Sequence, residues 1–321
     1  MIRSFKSTPF RRRLWWASAV ASAGVVAALL AAGCASGSNP PPGSTLAAGG
    51  KIQVVAAENF WGSIAAQLGG QMVSVTSIIK NPATDPHSYE ATPGDARAVA
   101  SAQYVILNGF GYDPWMEKLT GANAPQGQVV LNVQTALGQQ VGDNPHVWYS
   151  PTDVTAVIGK IVADYKTIDP AQAAAFDQQE RTFVSVDLQR YTGLVAQIKQ
   201  KYAGTPIGAT ESIATPLAKA LGLDLISPAG FLRAITEGTD PTAQDKATFD
   251  TQIQKKQIAV LLFNTQNATP DVQRLVDAAK SSGIAVVGIT ETLTPETATF
   301  QDWQSTQLQS LADALARATG K

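Results

Sequence analysis

The chain has 321 residues, 45% of them hydrophobic and 15% charged, with 24 Lys and Arg against 25 Asp and Glu. That length builds two domains or one large one, and so even a charge balance argues against a nucleic-acid-binding protein. The single cysteine, Cys34, excludes an internal disulfide framework.

The charge is unevenly placed. Arg3, Lys6, Arg11, Arg12 and Arg13 fall in the first thirty-three residues, where no acid occurs. Without that segment the balance is 19 positives to 25 acids, or about -6, a mildly acidic protein. Residues 14–32 are uncharged and largely apolar, and they end at Gly33-Cys34. A basic region, an apolar run and small residues before a cut site describe a secretory signal. Residues 1–33 are therefore expected to be a lipoprotein signal peptide, with Cys34 as the lipidated residue. The competing reading is an uncleaved anchor, since the run is just long enough to span a bilayer. Residues 34–50 are rich in Ser, Gly and Pro and include Pro40-Pro41-Pro42, so they read as a flexible tether. Either reading places the remainder outside the cytoplasm and attached to the membrane.

The folded part alternates strands with helices. Strands are predicted at 52–56, 72–79, 104–108 and 128–133, with helices at 60–68, 93–102, 114–120 and 151–166. Thr92 and Pro93 supply an N-cap and a first-turn proline, as do Ser150 and Pro151. Beyond Asp169-Pro170 the pattern changes. Val184, Leu188, Tyr191, Val195, Ile198 and Tyr202 recur at steps of four and three, an apolar stripe on a helix from 170 to about 202. At 1.5 Å per residue that helix would be roughly 45–50 Å long. Alternation then returns, with strands at 207–209, 223–226, 258–263 and 285–289. Helices are predicted at 216–221, 241–256, 270–282 and 295–318. The expected fold is α/β: a lobe at 51–168 and a lobe at 204–321, each a parallel sheet flanked by helices, joined by one long rigid spine helix at 169–203.

The chain contains two histidines, in matching settings: Asp85-Pro86-His87-Ser88-Tyr89 and Asn144-Pro145-His146-Val147-Trp148. Each follows a proline and shortly precedes an aromatic residue. Glu211 and Glu291 each directly follow a predicted strand and a threonine. Ligands of open parallel sheets bind outside the carboxyl ends of the strands. Two imidazoles and two carboxylates meeting there would carry a formal charge of -2, which one divalent cation cancels. Carboxylates that offer both oxygens suit Mn²⁺ or Fe²⁺, whereas tetrahedral Zn²⁺ leans on nitrogen and sulfur. The nearest substitutes for a misassigned acid are Asp85, Asp143, Glu237 and Asp240. Tyr89 and Trp148 are expected to pack around the site.

At these residues the chain resembles the metal-binding lipoprotein components of bacterial manganese, zinc and iron ABC importers. The run from Asp85 to Asp95 follows that family's first ligand motif, with Ala91 where proline is usual. The run from Asn108 to Trp115 resembles its next characteristic segment, and Asn144 to Trp148 its second ligand motif. Thr210-Glu211-Ser212 sits where the family has its third ligand. Thr290-Glu291-Thr292-Leu293 resembles the fourth motif, where aspartate is usual. The resemblance implies one metal ion (Mn²⁺ or Fe²⁺ favoured, Zn²⁺ possible) held by His87, His146, Glu211 and Glu291 as cargo. It further implies delivery to a permease and its ATPase by a lipid-anchored, monomeric, non-enzymatic carrier. A zinc-specific carrier of the same family is the alternative within the resemblance. An extracellular metalloenzyme is a separate one, since two histidines and a carboxylate also describe catalytic sites. Against it, the chain has no HExxH helix and no serine nucleophile motif. A surface adhesin is the third class, and no residue argues for it.

Overall fold

The computed structural model describes residues 50–321 apart from Asp85, His87 and Ser88. The signal segment, Cys34, the tether up to Gly49 and the expected ligand His87 therefore lie outside the described residues.

Two four-stranded parallel sheets carry the fold. The first comprises β1 (Ile52–Glu58), β2 (Val73–Ile79), β3 (Tyr104–Leu107) and β4 (Val129–Asn132) in the order β2-β1-β3-β4. The second comprises β5 (Pro206–Ala209), β6 (Asp224–Leu225), β7 (Val260–Asn264) and β8 (Ala285–Ile289) in the order β6-β5-β7-β8. The same winding therefore occurs twice. In each sheet the chain leaves the first strand to one side and then crosses to the other. That reversal opens a crevice at the carboxyl ends of β1 and β3, and of β5 and β7.

The helices around the first sheet are α1 (Asn59–Gly69), α2 (Pro93–Ser101), α3 (Pro114–Asn123), the short α4 (Val133–Ala136) and α5 (Pro151–Ile168). Thr92 and Asp95 form a reciprocal capping box on α2, and the Ser150 side chain caps α5. Then come α6 (Ala173–Thr182) and α7 (Gln189–Tyr202). The second sheet carries α8 (Ala214–Leu221), α9 (Ala229–Thr236), α10 (Ala243–Gln254), α11 (Pro270–Ser281) and α12 (Phe300–Thr319).

Strand periodicity divides the core. Ile52, Val54 and Ala56 of β1, and Tyr104 and Ile106 of β3, point into one large cluster. Val55, Ala57, Val105 and Leu107 point to the opposite face, under α2 and α3. Likewise Val260 and Leu262 of β7 enter the large cluster, while Leu261 packs with Phe231, Phe249 and Val272 on the outer face. The large cluster runs from β1 through α5 and α7 to α12, so both sheets share one inner core. Hydrogen bonds cross between the halves as well. Asn59 Oδ1 accepts from Leu293 N at 3.2 Å, and Ser63 Oγ from Phe300 N at 3.0 Å. The Gln67 and Gln301 amides bond reciprocally, at 3.1 and 2.6 Å.

Three expectations need correction. The linking segment is helical over the expected 170–202, but it is not uniformly α-helical. A π turn at Phe183–Asp187 separates α6 from α7, and Leu188 N donates to Phe183 O five residues back. The added residue rotates the apolar stripe, so Val184 is 42% exposed while Phe183, Leu188, Tyr191 and Ile198 are buried. The last helix begins at Phe300 rather than 295, because Thr299 caps it by accepting from Asp302 N. The helix α9, eight residues after Pro228, was not anticipated; its buried Phe231, Leu232 and Ile235 span too short a window for a clear period.

Candidate metal centre

The sharp turn after β3 shapes one wall of the site. Gly109, Phe110 and Gly111 all have positive φ, at 79°, 61° and 78°. A Cβ on Gly109 would sit 2.7 Å from Asn132 Oδ1 and 2.9 Å from Gln134 Cβ, so only glycine fits there. Asp113 ties the turn by accepting from Asn108 N at 2.7 Å and Gly109 N at 2.8 Å. The turn delivers the buried Tyr112, whose hydroxyl donates to Glu291 Oε2 at 2.7 Å.

His146 is fully buried in the loop between α4 and α5. Trp61 Nε1 donates to Asn108 Oδ1, and Asn108 Nδ2 donates to Pro145 O at 2.9 Å, which fixes the residue before the histidine. Asn144 then fixes the ring. Its Nδ2 donates to Ser212 O at 2.8 Å, so its Oδ1 is the atom facing His146. That oxygen accepts from His146 N at 3.0 Å and lies 2.8 Å from Nδ1. A carbonyl oxygen only accepts, so Nδ1 carries the proton and Nε2 presents its lone pair. Second-sphere carbonyls orient metal-binding histidines in this way. His146 Nε2 lies 4.0 Å from Glu211 Oε1.

Glu211 follows β5, and Glu291 follows β8. Both are buried. Asn264, the last residue of β7, lies between them and donates to Glu211 Oε2 at 2.7 Å and to Glu291 Oε1 at 2.8 Å. Asn267 Nδ2 adds a bond to Glu211 Oε2 at 3.3 Å. Gln266 Oε1 accepts from the backbone of Glu291 at 2.5 Å and of Thr292 at 3.0 Å. His146, Glu211 and Glu291 thus offer ligand atoms that all lie within 4.8 Å of one another. Metal bonds of about 2.0–2.2 Å require ligand atoms no more than about 4.4 Å apart, so small side-chain shifts close the set around one ion. A cavity of about 730 Å³ opens beside the cluster, walled in part by Tyr112, Asn144, Ser212 and Asn267. Through Tyr112, Asn144 and Asn267 the wall is one hydrogen bond from each of the three groups.

The structure thus brings together three of the four expected ligands; His87 lies outside the described residues. The substitutes fare differently. Asp143, Glu237 and Asp240 are exposed, and Asp85 is outside the described residues. Trp148 packs as expected, stacked on Phe60 at 4.0 Å and set edgewise to the His146 ring at 5.2 Å. Tyr89 donates to Asp95 and packs on Trp115. Sequence reasoning missed Asn264, Tyr112 and Glu58. A search of every strand end, acids and amides alike, finds Glu58 and Asn264.

Glu58 ends β1 and is fully buried, and neither of its carboxylate oxygens has a hydrogen-bond partner among the described residues. Burial pushes its carboxyl well up, and the nearby charges of Asp113 and Glu291 push it further. Burial likewise raises Asp113 to about 7 against its two backbone hydrogen bonds. The unfolded groups titrate near 4. The folded protein therefore holds protons that the unfolded chain has released, and this contribution to stability declines as pH rises from about 4 through about 7. The metal-free Glu58→Gln variant should lose less stability between pH 5 and pH 8 than the parent. Thermal unfolding of both at several pH values checks this; parallel profiles would contradict it.

Comparisons with known proteins follow the same line. The chain is 29% identical over 146 residues to the manganese-binding lipoprotein MntA of Bacillus subtilis, covering 43% of this chain and 47% of MntA. It is 26% identical over 163 residues to the iron-binding protein YfeA of Yersinia pestis, covering 49% and 50% of the two. The matched part thus spans about half the length of these curated relatives. The fold resembles a manganese-bound periplasmic metal-binding protein from Candidatus Liberibacter asiaticus, with TM-score 0.68, 18% identity and coverage of 83% of this chain and 100% of that one. A crystal structure of ZnuA gives TM-score 0.65 at 22% identity, covering 84% and 99%. The ZnuA family, described as zinc-uptake complex component A, periplasmic, matches residues 54–314, and the chain belongs to it.

Proposed function

We propose that this protein captures one divalent transition-metal ion with His146, Glu211, Glu291 and His87 and hands it to an ABC permease driven by its ATPase. The observation that carries the proposal is the convergence of three buried ligand groups from three separate loops, with Asn144 holding the imidazole lone pair inward. The cargo is Mn²⁺ or Fe²⁺ in preference to Zn²⁺. Two carboxylates and only two histidines in the whole chain make an oxygen-rich donor set. The relatives named for manganese and iron support this choice. The family's own description favours the second reading, a zinc carrier. The Irving–Williams order adds that Zn²⁺ binds such a site tightly whichever ion is cargo.

The remaining organisation belongs to the same proposal. Residues 1–33 export the chain, Cys34 carries the lipid, and residues 34–50 tether a monomeric carrier to the outer surface of the membrane. Residues 51–168 and 204–321 form the two lobes, with 169–203 joining them. The cavity beside Tyr112 and Asn267 is the cargo's route in and out. Metal analysis after stripping with EDTA and reloading should find one ion per chain, with Mn²⁺ and Fe²⁺ both retained. Protein that retains no divalent ion would sink the proposal.

A further inference from the structure

The two carboxylates of the centre are bridged by a single neutral side chain. Asn264 is fully buried, and its one amide nitrogen donates to Glu211 Oε2 and Glu291 Oε1. Its Oδ1 accepts from Gln266 N at 3.0 Å. The amide is thereby locked, because a flip would turn its oxygen toward two carboxylates and its NH₂ toward a backbone N–H. Both amide hydrogens are spent on the two acids.

The placement of these bonds has a coordination consequence. Glu211 Oε2 accepts from Asn264 and Asn267. The other oxygen, Oε1, is the one 4.0 Å from His146 Nε2. Glu291 accepts on both oxygens, from Asn264 on Oε1 and Tyr112 on Oε2. An oxygen loaded with N–H donors has fewer lone pairs for a cation and cannot swing toward it without breaking those bonds.

We propose that Asn264 is a positioning residue that holds Glu211 Oε2 and Glu291 Oε1 back from a bound ion, and so limits how strongly the centre can favour Mn²⁺ over Zn²⁺. The inference rests on the metal-carrier reading above. Fewer carboxylate oxygens mean a smaller coordination shell. Zn²⁺ accepts four ligands readily, whereas octahedral oxygen-rich shells suit Mn²⁺. Removing the amide releases Glu291 Oε1, with Tyr112 still on Oε2, and leaves Glu211 Oε2 held by the 3.3 Å bond from Asn267 alone, so the shell can enlarge.

The test measures Mn²⁺ and Zn²⁺ affinities by chelator competition in wild type, Asn264→Ala and the near-isosteric Asn264→Leu, each first shown to be folded without metal. Co²⁺ absorption then reports coordination number directly. Changes in a metal site's outer shell typically alter affinity by about 10–100-fold. We expect the Zn²⁺ to Mn²⁺ affinity ratio to fall by about tenfold or more in the variants, with weaker Co²⁺ d–d bands as the shell expands. A purely structural role would weaken both ions by the same factor and leave the Co²⁺ spectrum unchanged, and that result would overturn the inference while leaving the carrier reading intact. Wild-type protein that retains neither ion would overturn both.

Discussion

Metal-induced stabilisation should largely disappear when His146 is replaced by alanine. At a free metal concentration about 1,000 times the dissociation constant, a single site stabilises the folded state by about 4 kcal/mol. Even outer-shell changes cost about 10–100-fold in affinity, so loss of a direct ligand should cost at least about 100-fold. At the same metal concentration the remaining stabilisation is about 1.4 kcal/mol. The variant must be compared with its own metal-free form, because His146 is fully buried and its removal also leaves a void. Asn144→Ala should lower affinity in the same direction by a smaller factor, since it frees the ring to choose the wrong tautomer. Thermal unfolding with and without Mn²⁺ and Zn²⁺ measures both. A wild-type-sized shift in His146→Ala would remove this residue from the site.

Trp148→Ala should be the most damaging single change to stability near the site. The indole is fully buried, stacked on Phe60 with ring centroids 4.0 Å apart, and it also meets Tyr112 at 5.1 Å and His146 at 5.2 Å. Truncating such a side chain costs about 3–5 kcal/mol. For a protein of this size that is a fall of about 6–15 °C in the unfolding midpoint. The same indole forms one wall of the imidazole, so the metal shift should shrink as well. Trp148→Phe, which keeps the stack, should lose much less of both. A loss below about 1 kcal/mol in Trp148→Ala would contradict this account of the core.

The parts of the fold most legible in the sequence were those set by short-range rules. Capping side chains at Thr92 and Ser150 marked helix starts, and the strands ended where turn residues began. The candidate cluster was legible in part through position: His146 after a proline in a loop, and two acids each directly after a strand. Illegible features were of other kinds. The π turn before Leu188 has no composition of its own, since it is one extra residue absorbed by a helix that packs on both halves. The double use of the order 2-1-3-4 is a matter of pairing, which no local pattern encodes. Asn264 escaped because a search for charged ligands passes over a neutral amide, although its place at the end of β7 matches the places of Glu211 and Glu291. Glu58 escaped because it sits at the junction of β1 and α1, where it reads as an ordinary first-turn acid.

The chain belongs to the family described as zinc-uptake complex component A. The arrangement of the centre fits that setting. Three candidate ligands are buried, two of them are braced by a shared amide, and the imidazole is oriented from behind. A buried, preorganised set of this kind suits capture of an ion. The shared inner core beneath both sheets packs the two halves against each other.

The most direct test of the central claim is anomalous diffraction from crystals of the Mn²⁺-loaded protein. The expected result is one strong peak about 2.0–2.2 Å from His146 Nε2 and from carboxylate oxygens of Glu211 and Glu291, with His87 completing the set. A peak bound instead at exposed acids such as Asp143 or Glu237, or no peak between His146 and Glu291, would contradict it.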